Sequence, residues 1–396
     1  MAGQFQSRQG DLEQLFVTDY AMIDQYAATG SLWNWGHNNR GGLGTLVSSP
    51  IQTVAGGTNW KQVAAGLFYT AAIKTDGTLW LWGWNAYGNL GDNTNVVKSS
   101  PVQTVSSGTN WKQVSANGSY HIAAIKTDGT LWTWGYSYYG QLGNGVAKVD
   151  QSSPVQTVSG GTNWKSVSTG SNFTAAIKTD GTLWGWGQGG WGAQGDNTFN
   201  VHKSSPVQTV SGGTNWKSVS GGGVHTAAIK TDGTLWTFGH NGYGQLGTNS
   251  TAHRSSPVQT VSGGTNWKSV AAGSGHTAAI KTDGTLWTWG YNSNGQLGDG
   301  SSIVHRSSPI QTVAGGTNWK QLSTGSSNST TAIKTDGTLW TWGGNPYGGL
   351  GDNTITHRSS PVQTVSGGTN WKQVAISNVN TAAIFFYEAG NLYPNS

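Results

Sequence analysis

The nine residues Ala72-Ile-Lys-Thr-Asp-Gly-Thr-Leu-Trp80 decide how this chain is read. The same string, AIKTDGTLW, recurs unchanged from Ala124, Ala176, Ala228, Ala279 and Ala332. Its centre is Asp-Gly, with Ala-Ile on one side and Leu-Trp on the other. Asp-Gly supplies the positive φ angles of a tight type I′ turn, so each copy predicts two antiparallel strands joined as a hairpin. Six copies of one hairpin define a repeat protein.

The hairpin sits inside a larger unit. LWxWG-type strings begin at Leu32, Leu79, Leu131, Leu183, Leu235, Leu286 and Leu339, each followed by Ser-Ser-Pro, with prolines at Pro50, Pro101, Pro154, Pro206, Pro257, Pro309 and Pro361. Then come V/I-Q-T-V, a Gly-rich turn and Asn-Trp-Lys, with tryptophans at Trp60, Trp111, Trp164, Trp216, Trp267, Trp319 and Trp371. The period is 51 to 53 residues. In the unit from Pro154 the pattern predicts strands over 155–158, 164–168, 174–178 and 182–186. Trp184 and Trp186 are two apart and share a face. Four antiparallel strands repeated radially make a propeller blade.

The two ends complete the argument. The first unit starts at Ser31-Leu32-Trp33-Asn34-Trp35 without an AIKTDG half, and the last reaches Thr381-Ala382-Ala383-Ile384 and then turns into Phe385-Phe386. Each end supplies what the other lacks. An open solenoid needs polar caps, whereas a ring is completed by strands from both termini and leaves no edge unpaired. The expected fold is therefore all-β: a seven-bladed β-propeller of about 52-residue repeats over residues 31–390, closed by its terminal strands, with a tail at 391–396.

Composition agrees. Gly 62 and Trp 22 are high and charged residues, at 9%, are low, the opposite of a disordered chain. With no cysteine, disulfides, thiolate metal sites and cysteine nucleophiles are excluded together. The sequence shows no signal peptide and no long apolar run, so no membrane association and no secretion by the usual route is expected. The net charge of +5 has a specific origin: the NWK and IKTDG strings carry thirteen lysines and six aspartates, and everything else carries eight basic and ten acidic residues. Charge spread by repetition round a ring argues against a nucleic-acid stripe.

Residues 1–30 differ from the rest. Asp11 is a candidate N-cap for a helix over 11–27, with Leu12, Leu15, Phe16, Tyr20 and Ile23 at the spacings of an amphipathic stripe. One reading packs this helix on its own domain. The other makes it a docking element, since no second helix is expected to partner it.

At Leu286-Trp-Thr-Trp-Gly-Tyr-Asn-Ser-Asn-Gly-Gln-Leu-Gly298 and Ser274-Gly-His-Thr-Ala-Ala-Ile-Lys281 the chain resembles the regulator-of-chromosome-condensation repeat family, over about residues 31–386. The resemblance implies a seven-bladed propeller closed by both termini. It does not transfer that family's nucleotide exchange or chromatin binding: no insertion breaks the period to form an exchange wedge, and the N-terminus is acidic, not basic. The leading segment is also similar to structural proteins of tailed bacteriophages, whose short N-terminal element docks on the particle. That likeness implies a virion component contacting other structural proteins or a host-surface glycan, against a cytoplasmic alternative.

Candidate chemistry is sparse. His225 and His276 share one slot of the repeat and His202, His253, His305 and His357 another, at repeat spacings and without the short-range pairs of a zinc site. The second set precedes Lys203, Arg254, Arg306 and Arg358, predicting a basic rim on one face. Asp92, Asp196, Asp299 and Asp352 read as turn caps, one per unit. No nucleophile elbow, phosphate loop or HExxH string is present. The expectation is a non-enzymatic propeller without cofactor or metal, serving as a structural, decoration or adhesion component. Two alternatives stand beside it. One is a lectin-like propeller using Trp84-Asn-Ala-Tyr87 and Tyr136-Ser-Tyr-Tyr139 in a multivalent ring; the other is a cellular interaction or GTPase-exchange hub.

Overall fold

A computed structural model describes residues 30–386, apart from 37–46, 54–56, 107, 118–119, 212, 326–327 and 378–379. The docking stripe Leu12, Leu15, Phe16, Tyr20 and Ile23, with the helix expected over 11–27, lies outside the described residues, as does the tail. Twenty-eight strands form seven four-stranded antiparallel sheets, and no helix occurs among the described residues. Six blades are continuous in sequence, over residues 60–103, 111–156, 164–208, 216–259, 267–311 and 319–363.

The seventh blade joins the ends of the chain. It combines Trp371–Ile376 and Asn380–Phe386 with Gly30–Gly36 and Val47–Gln52. Gly30–Gly36 runs antiparallel to Asn380–Phe386, pairing Leu32 with Ile384 and Trp35 with Thr381. The ring is sealed as the incomplete terminal units require.

Two local expectations need correction. The Asp-Gly hairpin is not a two-residue type I′ turn, because Gly77 has φ 79° while Asp76 is not among the residues of positive φ. Gly77 N donates to Lys74 O and Lys74 N to Thr78 O, both at 3.0 Å. That is a three-residue loop, a type I turn followed by a left-handed glycine. Asp76 does different work: its carboxylate accepts Thr78 N at 2.9 Å and Thr78 Oγ1 at 2.7 Å, fixing the turn from inside. The Ser-Ser-Pro strand also starts earlier than expected, at Gln151–Gln156, and closes the preceding blade, pairing Gln156 with Trp132. Proline lacks an amide hydrogen and belongs on such an outer edge.

Tryptophan packing holds the ring. The inner-strand tryptophan and the second tryptophan of LWxWG are fully buried in nearly every blade, including Trp164, Trp186, Trp267 and Trp289. Each removes about 150–250 Å² from water, worth roughly 4–6 kcal/mol as an upper bound. The second tryptophan also stitches neighbours: Trp186 Nε1 donates to Gln141 O of the preceding blade at 2.9 Å, and Trp289 Nε1 to Gln245 O at 2.8 Å. A Cβ on Gly247, whose φ is 66°, would fall 2.8 Å from the Trp289 ring nitrogen. The last glycine of G-Q-L-G is therefore set by the next blade's tryptophan.

The inner strands, such as Trp60–Ala65 and Trp164–Thr169, approach one another around the axis and enclose a channel of about 230 Å³.

Candidate functional site

The ring has two unlike ends. At one end lie the Asp-Gly hairpins. Lys178 Nζ sits 4.9 Å from the Trp164 ring and 4.3 Å from the Trp184 ring, and Trp184 Nε1 donates to Thr182 Oγ1 at 2.8 Å. Thr182 in turn donates to Asp180, whose carboxyl its hydroxyl and amide hold below the usual carboxylate range. The arrangement repeats at Lys74, Lys126, Lys230, Lys281 and Lys334. In the closing blade Phe385 takes the lysine's place against Trp371, 5.1 Å between ring centres, and Ser31 receives the Trp33 Nε1 bond. This end is uniform over the six blades that are continuous in sequence.

The opposite end is where the blades diverge. Two loops per blade share it, as the hydrogen bonds Trp84 N to Phe68 O, Tyr136 N to Tyr120 O and His240 N to Val224 O show. The longer loop has a fixed frame. Asn241 is fully buried, accepts Leu246 N at 2.9 Å and donates to Ser250 O and Ala252 O at 2.8 and 3.0 Å. Asn85, Asn292 and Asn345 do the same in their blades. Around that buried anchor the side chains vary, and most are aromatic.

They gather into two arcs. Over the first three blades Trp84, Tyr87, Tyr120, Tyr136, Tyr138 and Tyr139 form a continuous set of ring contacts, with Trp84–Tyr120 and Tyr87–Tyr136 both 4.7 Å apart and Tyr138–Tyr139 5.0 Å, ending on His202 at 4.9 Å from Tyr139. Over the following blades Trp191 meets His253 at 4.8 Å, His253 meets His240 at 4.6 Å, and Tyr243 meets Tyr291 at 4.6 Å. Tyr138, Trp191, Tyr243 and Tyr347 remain 40–49% exposed, a large apolar presentation for a surface loop. A cleft of about 250 Å³ opens between His240, Tyr243, Tyr291, Ser274 and Asn328. His240 Nδ1 lies 2.7 Å from Gln245 Nε2, and burial together with His253 lowers its pKa.

The rim histidines serve these loops. His253 Nδ1 accepts Asn241 N at 2.9 Å, His305 accepts Asn292 N at 3.1 Å, His357 accepts Asn345 N at 2.8 Å, and His202 accepts Gly189 N at 3.2 Å. Their basic neighbours are mostly paired within the same loop. Lys203 lies 3.5 Å from Asp196, Arg306 3.1 Å from Asp299 and Arg358 2.7 Å from Asp352, while Arg254 has Thr248 where the others have aspartate. Asp92 and Asp352 also cap turns, accepting Thr94 and Thr354 amides.

His225 and His276 lie elsewhere. With His121 they begin the second strand of their blades, are fully buried, and reach the next blade's threonine: His225 Nε2 to Thr277 Oγ1 at 2.9 Å and His276 Nε2 to Thr330 Oγ1 at 3.0 Å. Thr277 and Thr330 donate to Gln245 O and Gln296 O. Each histidine must therefore supply the hydrogen and be the neutral Nε2–H tautomer. Burial pushes all three down to about 3.

Sequence reading found Trp84, Tyr87, Tyr136 and Tyr139 but missed Trp191, His240, Tyr243 and Tyr291. The signal was available: these are the positions at which otherwise identical repeats disagree.

The RCC1-like domain family matches residues 25–329, and a regulator of chromosome condensation (RCC1) repeat matches residues 336–384. The chain belongs to the RCC1-like propeller family. It is 29% identical to the ultraviolet-B receptor UVR8 of Arabidopsis thaliana over 68% of this chain and 62% of the receptor. It is 35% identical to the probable E3 ubiquitin-protein ligase HERC4 of Rattus norvegicus over 52% of this chain and 19% of the ligase. The chain thus spans about three fifths of the first relative's length and a fifth of the second's. Prp20p of Saccharomyces cerevisiae, studied with its binding to Gsp1p and histones, superposes with a TM-score of 0.79 at 18% identity, covering 91% of this chain and 92% of that one. That likeness shows the fold alone.

Proposed function

We propose that this chain is a non-catalytic protein-interaction propeller that recognises its partner through the aromatic loop face. One observation carries the reading: repeats that barely differ elsewhere diverge at the loop tips, and there they place exposed Tyr138, Trp191, Tyr243 and Tyr347, the last two in loops held by the buried Asn241 and Asn345. Aromatic side chains held in place lose little entropy on contact and are the usual anchors of protein interfaces. Among the described residues no group on this face is arranged as a nucleophile–base pair, and Asp92, Asp196, Asp299 and Asp352 lie in separate blades, each in an ion pair within its own loop. Relatives as different as a light receptor and a ubiquitin ligase share the scaffold, which fits a recognition module reused in many settings.

The reading does not depend on a virion. The docking stripe lies outside the described residues, and the relatives above come from a plant, a mammal and a yeast. The test is affinity capture from the native host extract with the wild type and with Tyr87→Ser, Trp191→Ser and Tyr243→Ser combined. The expected result is a specific protein retained by the wild type and bound at least about 30-fold more weakly by the variant, the loss of one hot spot or more, at unchanged melting temperature. Retention by both proteins would discard the aromatic face. Binding on a glycan array in place of a protein would return the lectin-like reading.

A further inference from the structure

The end of the ring opposite the aromatic face holds a second site. We propose that the axial channel is a blind well that binds a compact polyphosphate anion.

Among the described residues the well narrows at the aromatic end. There the inner strands finish in glycines that press on their neighbours: a Cβ at Gly222 would lie 2.5 Å from Gly273 O, and one at Gly325 2.2 Å from Ser377 O. Gly223 N bonds directly to Gly273 O at 2.9 Å. Asn117 then reaches across the axis from the second blade, its Nδ2 donating to Gly221 O of the fourth blade at 3.0 Å. No other blade carries a long side chain at that position.

The mouth is at the hairpin end, where each of the seven inner strands begins and carries one lysine as its second residue. Every inner strand begins Trp-Lys, and the lysine is an extra residue at a bulge: Trp60 pairs with Lys74 and Gln62 with Ile73, leaving Lys61 unmatched. Lys61, Lys112, Lys165, Lys217, Lys268, Lys320 and Lys372 are all exposed. None of the seven appears in an ion pair at 4.0 Å or less among the described residues. Neighbouring inner strands pack directly on one another around the axis, so like charges at the start of each strand act on the same end of the channel. The hairpin aspartates of six blades lie on the same end, bound to their own threonines. Repetition spreads the lysines in angle, but folding collects them on one end.

The walls offer donors to match. Ser168, Ser220 and Ser323 line the well, and each hydroxyl accepts an amide of the next blade: Gly221 N at 2.9 Å, Ala272 N at 3.0 Å and Ile376 N at 3.3 Å. With its oxygen so engaged, each hydroxyl keeps its own hydrogen to give, and no acceptor within the protein takes it among the described residues. Hydroxyl donors inside and ammonium groups at the mouth are the chemistry of an anion site. A cavity of about 230 Å³ admits a phosphate group or two. The surrounding lysines suit an anion whose charges radiate from a small core. An acidic peptide meets such a ring as a line of charges, and a duplex lies across the mouth without entering.

The experiment is isothermal titration of the full chain with inositol hexakisphosphate at about 150 mM salt. One ion per chain is expected, with affinity falling as salt rises. Lys165→Gln, Lys268→Gln and Lys372→Gln together should weaken binding at least tenfold. Lys148→Gln, Lys203→Gln and Arg254→Gln, which remove as many cations elsewhere, should leave it unchanged. Ala271→Leu, filling the well from one wall, should weaken binding while the lysines stay in place. The proposal is overturned by no binding, by several ions per chain, by equal losses in the two triple variants, or by binding of a polyglutamate peptide or duplex DNA where the inositol phosphate fails.

Discussion

At the scale of single residues, the seams between blades turn on two positions of the inner strand. Gln62 spans one seam with a reciprocal pair, Nε2 to Val114 O and Val114 N to Oε1, each 3.0 Å. Elsewhere a serine two residues further on accepts the neighbouring amide, as Ser115, Ser168, Ser220 and Ser323 do. The fifth blade has Ser269 and Ala271 at these two positions, the first too short to span the seam and the second without a hydroxyl. Ala271→Ser should supply the missing acceptor to Thr324 N and stabilise the chain by about 0.5–1 kcal/mol, the net worth of one such bond. The measurement is a raised denaturant midpoint at unchanged slope. In contrast, Ser220→Ala should lower the midpoint by an equivalent of about 1–2 kcal/mol, because the Ala272 amide loses its acceptor.

At the scale of the element, the hairpin shows why its sequence varies so little. In Ile177-Lys-Thr-Asp-Gly-Thr-Leu-Trp184 the lysine fills the space between two indoles, the aspartate fixes the turn, the glycine takes the left-handed position, and the threonine passes the bond from tryptophan to aspartate. Thr182→Val keeps the shape and removes that link. It should cost about 1–2 kcal/mol, seen in the melting transition, since both Trp184 Nε1 and Asp180 lose a partner. The buried slot at the start of the second strand has its own signature. Its three histidines titrate near 6.5 when unfolded and at about 3 when folded. The folded state refuses protons that the unfolded chain accepts, so stability is intact above pH 6.5 and falls as pH drops toward 3. The expected slope is about 1.4 kcal/mol per pH unit for each histidine. The first and third blades carry Tyr69 and Phe173 in this slot. His121→Phe, His225→Phe and His276→Phe together should therefore keep the fold and flatten the acid limb of a pH–stability curve.

The same element marks the limit of what could be read from residues alone. The hairpin's existence followed from Asp-Gly between apolar flanks, but its turn type depended on whether Asp76 itself left the right-handed region, which side-chain bonding to Thr78 decides. The blade boundary was misplaced because Ser-Ser-Pro precedes the inner strand in sequence yet pairs backward onto Leu131–Gly135. For the site, the loop aromatics were visible one loop at a time. Their assembly into arcs needs the ring, which sets Tyr139 beside His202 and Trp191 beside His240 from different blades. Charge shows the same limit: a surplus along the chain says nothing about which end of a propeller it occupies.

At the scale of the whole molecule, everything depends on closure. Asn380–Phe386 is the one strand with a terminal strand on one side and its own blade's inner strand on the other. It buries Ala382 and Ile384 with Trp60 and Trp82 of the first blade, and Ala383 with Trp35 and Trp371 of the closing blade. Truncation after Ser377 would strip a partner from Gly30–Gly36 and from Trp371–Ile376 at once, exposing two unpaired edges. A solenoid losing a terminal strand would shed one repeat's worth of stability and stay soluble. A sealed ring has no spare unit to lose. The truncated chain should therefore melt in a broader transition at lower temperature and migrate as oligomers on size exclusion, where the intact chain is monodisperse with one sharp transition. Removal of residues 387–396 alone leaves all seven sheets in place and should change neither measurement. If the longer truncation behaved like the shorter one, the terminal strand would not be what holds the toroid shut, and both faces would lose the rigid frame on which their proposed binding sites rely.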